Sequence, residues 1–286
     1  MRSLKAPILA AVTSALFSQM VLAQSLILKN FLAQPQHFGV TSTLIEGEKE
    51  VILVNAQFSK SEALRVAADI LDSGKTRKTI FVSYGDPDFY FGLDVFKQYF
   101  PNAKIIAMPE TVKHIQDTQV LKVQYWSPKM GVNAPESIII PQAFTGKTLQ
   151  LENEQIEIKG NHELTYLWIP SIKAVVGGIP VSSGIHLWMA DTPRTKDRAE
   201  VIGTLQAIKA LQPEIVVPAH MLENAPENLA AVNFSLDYLN NYEKAVKTTK
   251  TAQQLSQTMQ QQYPDLQETD TLDLGAKVVK GEMKWP

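Results

Sequence analysis

Ser83-Tyr84-Gly85-Asp86-Pro87-Asp88-Phe89-Tyr90-Phe91-Gly92 follows directly on the apolar run Thr79-Ile80-Phe81-Val82, and this junction decides how the chain reads. A short unbroken apolar run rich in β-branched and aromatic residues is a strand buried on both faces, the kind found in parallel sheets. The Asp, Pro and Gly that follow are turn formers. Two carboxylates two residues apart at the end of such a strand can converge on a divalent cation or on each other's proton. The same pair can simply cap the next helix and stiffen the turn around Pro87.

Outward from this junction the pattern is α/β. Leu26–Leu28 and Val51–Val54 are short apolar runs on either side of the turn-like Glu46-Gly47-Glu48-Lys49, which reads as strands joined in hairpins. Ser59 followed by Glu62 forms a capping box, and Ala63, Val66, Ala67, Ile70 and Leu71 recur at helical spacing until Gly74. Leu93–Tyr99 is amphipathic again. From Ile138 to Val176 come five candidate strands, at 138–140, 149–151, 156–158, 164–169 and 174–176, spaced as a meander. A helix over about 196–211 then leads into Ile215-Val216-Val217. Helical patterns over 229–242 and 252–263 close the chain, the latter with a Gln-rich solvated face.

Composition limits the function. The 286 residues are 45% apolar and 20% charged, as in folded globular proteins. With 27 Lys and Arg against 29 Asp and Glu there is no basic excess of the kind that holds a phosphate backbone, so nucleic acid is not an expected partner. The absence of cysteine excludes disulfides, thiolate nucleophiles and Cys-based metal sites. Residues 1–23 read as a secretory signal: Arg2 and Lys5, an interrupted apolar stretch, then Val21-Leu22-Ala23 before Gln24. The expectation is a periplasmic or secreted protein without membrane attachment after the signal is removed. With no Gly/Ser or Pro-rich linker, residues 24–286 read as one domain with a helical C-terminal extension. Trp285 is expected to dock on it, since a terminal Trp left in water wastes apolar area.

Beyond Asp86 and Asp88, the candidate chemistry rests on histidine. His220 follows Val216-Val217-Pro218-Ala219, just past a predicted buried strand, the edge where ligands gather in open α/β sheets. His162 lies between two strands and His186 precedes Leu187-Trp188, while the contexts of His37 and His114 suggest nothing. Phe89, Tyr90, Phe91, Tyr125, Trp126, Trp168 and Trp188 can line a pocket for a small organic ligand or can simply be core.

Taken together, the hairpin start at 44–58, the strand and loop at 81–92, Leu167-Trp168-Ile169-Pro170-Ser171 through Gly177-Gly178, and Val217-Pro218-Ala219-His220 resemble the metallo-β-lactamase superfamily. Gly-Asp-Pro-Asp at 85–88, His-Leu-Trp-Met-Ala-Asp at 186–191 and Lys-Gly-Glu-Met-Lys-Trp at 280–285 are similar to a secreted bacterial metallo-hydrolase branch of it. The resemblance implies a four-layer αβ/βα sandwich with a metal site at one edge of the paired sheets. Set on this chain, the family's metal loop His-x-His-x-Asp-His falls on Tyr84, Asp86, Asp88 and Phe89, so the motif is degenerate. Only Asp88 is unchanged, Asp86 is a credible replacement, Tyr84 titrates too high to serve as an anionic ligand at neutral pH, and Phe89 cannot bind. The later bridging Asp falls on Gly178, the last family His on His220, and the position where many relatives keep Asp after the second strand is Asn55.

What the resemblance implies for function is a hydrolase of a small ester, lactone or lactam, using at most one divalent ion, with zinc expected and iron or manganese alternatives. The expected ligands are Asp86, Asp88, His220 and His162, with His186 as an alternative to His162; Asp88 and Tyr84 are the expected catalytic residues. The alternatives are a catalytically inactive binding or scaffolding protein of the same fold, and two-carboxylate acid/base catalysis without metal. In each case the expected partner is a small molecule.

Overall fold

The computed structural model describes residues 26–161 and 163–285. The signal-like segment 1–23 and His162 lie outside the described residues. The chain begins with three antiparallel strands, β1 (Ile27–Leu32), β2 (Thr41–Glu46) and β3 (Glu50–Val54). Helix α1 (Lys60–Asp72) crosses over to β4 (Thr76–Val82), which lies parallel to β3. The short helix α2 (Pro87–Tyr90) and α3 (Leu93–Tyr99) lead to β5 (Lys104–Ala107), and α4 (Pro109–Met130) leads to β6 (Gln142–Ala143). These strands form one sheet in sequence order, β1 to β6.

The second half opens with the meander β7 (Thr148–Leu151), β8 (Glu154–Asn161), β9 (Leu164–Ile169) and β10 (Ala174–Val176). Then come β11 (Ser182–Ser183), α5 (Thr195–Ala210), β12 (Ile215–Val216) and β13 (His220–Met221). The second sheet has the order β12-β10-β9-β8-β7, and β11 pairs with β13 in a small parallel ladder. Helices α6 (Leu229–Thr248), α7 (Ala252–Gln262) and α8 (Thr269–Val279) follow.

The period-2 alternation of the strands builds the layers. Ile45, Ile52, Val54, Phe81, Ile106, Leu149, Ile156, Leu167, Ile169 and Val176 form one apolar cluster drawn from both sheets, the core between them. Their neighbours of opposite parity, Leu44, Leu53, Ile80, Val82, Tyr166, Trp168 and Val175, pack with the helices in a second cluster. Two facing sheets with helices outside give the αβ/βα sandwich expected from the sequence. Ser59 caps α1, its hydroxyl accepting from Glu62 N–H, but Glu62 does not complete the box; its carboxylate accepts from Gln34 N–H and pairs with Arg65.

One expected strand does not form, and one long helix was not anticipated. Ile138–Ile140 form no strand: Pro141, which has no N–H, ends the run, and pairing with β5 starts only at Gln142. The 22-residue α4 was not delimited by periodicity, because its core-facing stripe carries a lysine, Lys122, where an apolar residue is the rule.

Candidate functional site

The loop after β4 is fixed by Asn55, which stands just past β3 with a positive φ of 65°. Its side-chain oxygen accepts from both the backbone N–H and the hydroxyl of Ser83, each at 2.9 Å. Ser83 in turn takes a hydrogen bond from Gly178 N–H on its hydroxyl and from Thr165 Oγ1 on its carbonyl. The position expected to carry a family Asp thus organises the loop from beneath. Asp86 sits at the N-cap of α2 but makes no capping hydrogen bond. Its carboxylate turns inward instead.

The group it meets is the ammonium of Lys122. Only 1% of that side chain is exposed, and its Nζ lies 3.1 Å from Asp86 Oδ1 and 3.2 Å from Asp191 Oδ1. Asp191 accepts further hydrogen bonds from the indole N–H groups of Trp188 and, at 2.9 Å, Trp285. Lys122 also lies 4.7 Å from the centre of the Trp285 ring. Burial acts to lower the lysine pKa, but the charges of Asp86 and Asp191 outweigh it and push the pKa up to about 12. Burial, then the charge of Asp86, push Asp191 up to about 7 against the pull of Lys122.

Beside this triad is a second closed pair. His220 Nε2 lies 2.9 Å from Asp88 Oδ2, and its Nδ1 lies 3.0 Å from the carbonyl of Phe38. The Phe38 carbonyl only accepts, so Nδ1 carries hydrogen, and Nε2 faces the Asp88 carboxylate, which favours the charged ring. Burial opposes that charge, but Asp88 and the Phe38 carbonyl prevail, and the pKa is raised. Phe89, the residue at the lost ligand position, packs edge-on against the His220 ring at 5.7 Å.

The remaining expected residues are distributed around this centre. Tyr84 packs against Phe89 and His114; burial, then Asp86, hold its hydroxyl well above the ordinary tyrosine range, so it stays a phenol. His186 lines the same cavity and is paired with Tyr238, 2.9 Å from its Nδ1, and burial lowers its pKa to about 4, which keeps it neutral. His114 belongs to the site: its Nδ1 is 2.6 Å from Glu163 and its Nε2, otherwise unpartnered, is 3.9 Å from Asp86 Oδ1. Gly178 presents no side chain, and a Cβ there would stand 3.0 Å from that of Tyr166.

These donors do not fit a metal ion. Among the described residues no three His, Asp or Glu side chains converge as a ligand set. Asp86 is held by an ammonium that would repel a cation, which leaves Asp88 and His220 Nε2 as a pair short of the three protein ligands a zinc site takes. Above the two closed groups is a cavity with about 50 Å³ open to the centre of a water molecule, walled by Phe38, Phe58, Trp126, Trp188, Ile185 and Trp285.

No protein-family model matches the sequence, and no curated protein does. Solved structures do. A beta-lactamase domain protein from Burkholderia ambifaria superposes with a TM-score of 0.64 at 12% identity, over 88% of this chain and 83% of its own. A metallo-beta-lactamase family protein from Thermus thermophilus gives 0.62 at 13% identity, over 89% and 91%. The chain has the metallo-β-lactamase fold. A metallo-beta-lactamase from Pontibacter korlensis matches over its whole length and 76% of this chain, with a TM-score of 0.53 at 12% identity. Within this fold the loop after β4 and the start of β13 bring Asp88 and His220 together, and the same loop carries Asp86 to Lys122.

Proposed function

We propose that this chain binds a small, uncharged organic molecule, about the size of one substituted ring, in the aromatic cavity, and does so without a metal ion. The observation that carries this reading is that every charge Lys122, Asp86, Asp88 and His220 bring to the cavity is spent on a partner within the site, while the walls are aromatic. Apolar walls with few free polar groups suit a neutral ligand. Asp86, Asp88 and Glu268 against Lys122 and His220 leave an acidic balance that disfavours an anion. The signal-like sequence of residues 1–23 supports, as part of the same proposal, a ligand met in the extracytoplasmic space.

A hydrolase of small esters, lactones or lactams is the second reading, favoured by the Asp88–His220 pair at the cavity wall. Phenyl acetate, acetophenone and benzoate separate the two when followed by the fluorescence of Trp126, Trp188 and Trp285. Binding of both neutral probes, weaker binding of benzoate and no turnover of phenyl acetate is the expected result. Turnover of phenyl acetate that is lost in both Asp88→Ala and His220→Ala would establish the hydrolase instead.

A further inference from the structure

This edge of the paired sheets holds two carboxylates, Asp86 and Asp191, more than nine-tenths buried as side chains. Two such groups side by side need a positive charge or a proton. The other donors reaching Asp191 are the neutral indoles of Trp188 and Trp285, and the other cationic group near Asp86 is the His114 ring, 3.9 Å away and already paired with Glu163. The positive charge that touches both carboxylates is the Lys122 ammonium. It touches one oxygen of each carboxylate at hydrogen-bond distance, is almost fully buried, and lies 4.7 Å from the centre of the Trp285 ring.

We propose that Lys122 is a built-in cation that takes the place of a divalent ion between Asp86 and Asp191, so that the chain folds without metal and admits an ion there only when the lysine is removed. The reach fits the role. Lys122 projects from α4, which packs over the loop after β4, and its long side chain delivers one charge to the point where the loop carboxylate and Asp191 meet. The tether makes the cation permanent: it cannot be chelated or exchanged. With the ammonium gone, Asp86, Asp191 and the unpartnered Nε2 of His114 would be left as two oxygen donors and one nitrogen donor around one vacated position, a set that takes zinc or manganese with little discrimination. None of these three but Asp86 is a position at which the family resemblance predicts a ligand. The proposal stands apart from the ligand proposed for the cavity.

The test compares the full chain with Lys122→Met and with the double variant Lys122→Met, Asp191→Asn, by melting temperature in chelator and in excess zinc or manganese chloride, and by metal content after gel filtration. The wild type should melt at the same temperature in chelator and in either ion and carry no stoichiometric metal. Lys122→Met should melt lower in chelator, recover when zinc or manganese is added, and retain about one ion per chain. The double variant should recover part of the loss without metal and gain nothing from it. Wild-type protein that carries an ion and loses stability in chelator would overturn the proposal. So would Lys122→Met protein that is restored by lowering the pH but by neither ion, since a proton would then be the whole replacement. If Lys122→Met cannot be obtained folded, refolding from urea with and without each ion decides: recovery only with an ion supports the proposal, and no recovery with either sinks it.

Discussion

A buried lysine between two carboxylates is worth most as a set. Removing one member of such a group leaves uncompensated charge in a place water cannot reach, which costs about 3–5 kcal/mol where similar groups have been broken. Lys122→Met should therefore lower the unfolding free energy in urea by several kcal/mol. Lys173, paired with Glu214 but 58% exposed, should change it by no more than ~1 kcal/mol on the same substitution. Equal effects would mean that the Lys122 group is open to solvent. The pH dependence follows from the same residues. Asp191 is raised from 3.8 to about 7 in the folded chain, so folding favours its protonated form. Its contribution is complete below the unfolded value and is lost as pH rises through about 7. His114 and His220, raised from 6.5, add a loss of the same sign above 6.5. His186, lowered to about 4, acts oppositely and costs stability as pH falls from 6.5 towards 4. Between pH 6.5 and 4 the Asp191 gain and the His186 loss offset each other, so urea midpoints should change little there and decline above pH 6.5, and Asp191→Asn should flatten the alkaline side and expose an acid-side decline. A wild-type midpoint that climbs steadily from pH 6.5 to 8.5 contradicts this assignment.

At the scale of elements, close approach and open space separate two glycines. Gly92 starts α3 where its N–H donates to Gln57 O, and a Cβ there would lie 2.0 Å from Ala56 O and 2.7 Å from Ala63 Cβ. Gly203, inside α5, has nothing within 4 Å of the same atom. Gly92→Ala should cost about 1–3 kcal/mol by forcing α1 and the loop after β3 apart, whereas Gly203→Ala should gain about 0.5–1 kcal/mol from helix propensity. Melting temperatures moving in opposite directions are the expected result, and a shift of the same sign in both would refute the packing argument. The strands on either side of this region were legible in the sequence because their alternation is local. Leu164–Ile169 and Ala174–Val176 have the bounds their apolar runs indicate. Ile138–Ile140 misled because three isoleucines can pack beneath a loop as well as in a ladder. The extent of α4 was hidden because Lys122 interrupts the stripe Val112, Ile115, Lys122, Trp126. That interruption is a feature worth noting in hindsight: a charged residue at a core-facing helical position.

Over the whole molecule, the site joins five distant parts of the chain, the loop after β4, the middle of α4, Asp191 ahead of α5, His220 at the start of β13, and the C-terminal Trp285. Asp86, Asp88 and His220 were readable because strand ends and motif spacing mark them. Asp191, Lys122 and His114 were not, since their meeting depends on how α4 lies across the sheet edge. Trp285 docks as its apolar area led us to expect, edge-on to Tyr125 at 5.1 Å and Trp188 at 5.2 Å, with its N–H on Asp191. Trp285→Ala should remove a hydrogen bond to a charged group, about 1.5–3 kcal/mol, together with part of the cavity wall. Both the melting temperature and acetophenone binding should fall, and an unchanged affinity would show that the C-terminal segment is no part of the cavity. The central claim, that a lysine and not a metal ion balances this site, is tested most directly by crystals of the full chain grown with excess zinc and measured at the zinc absorption edge. The account predicts the Lys122 ammonium between Asp86 and Asp191 and no anomalous peak within bonding distance of Asp86, Asp88, Asp191 or His220. A peak there, with Lys122 swung out of the site, would contradict it.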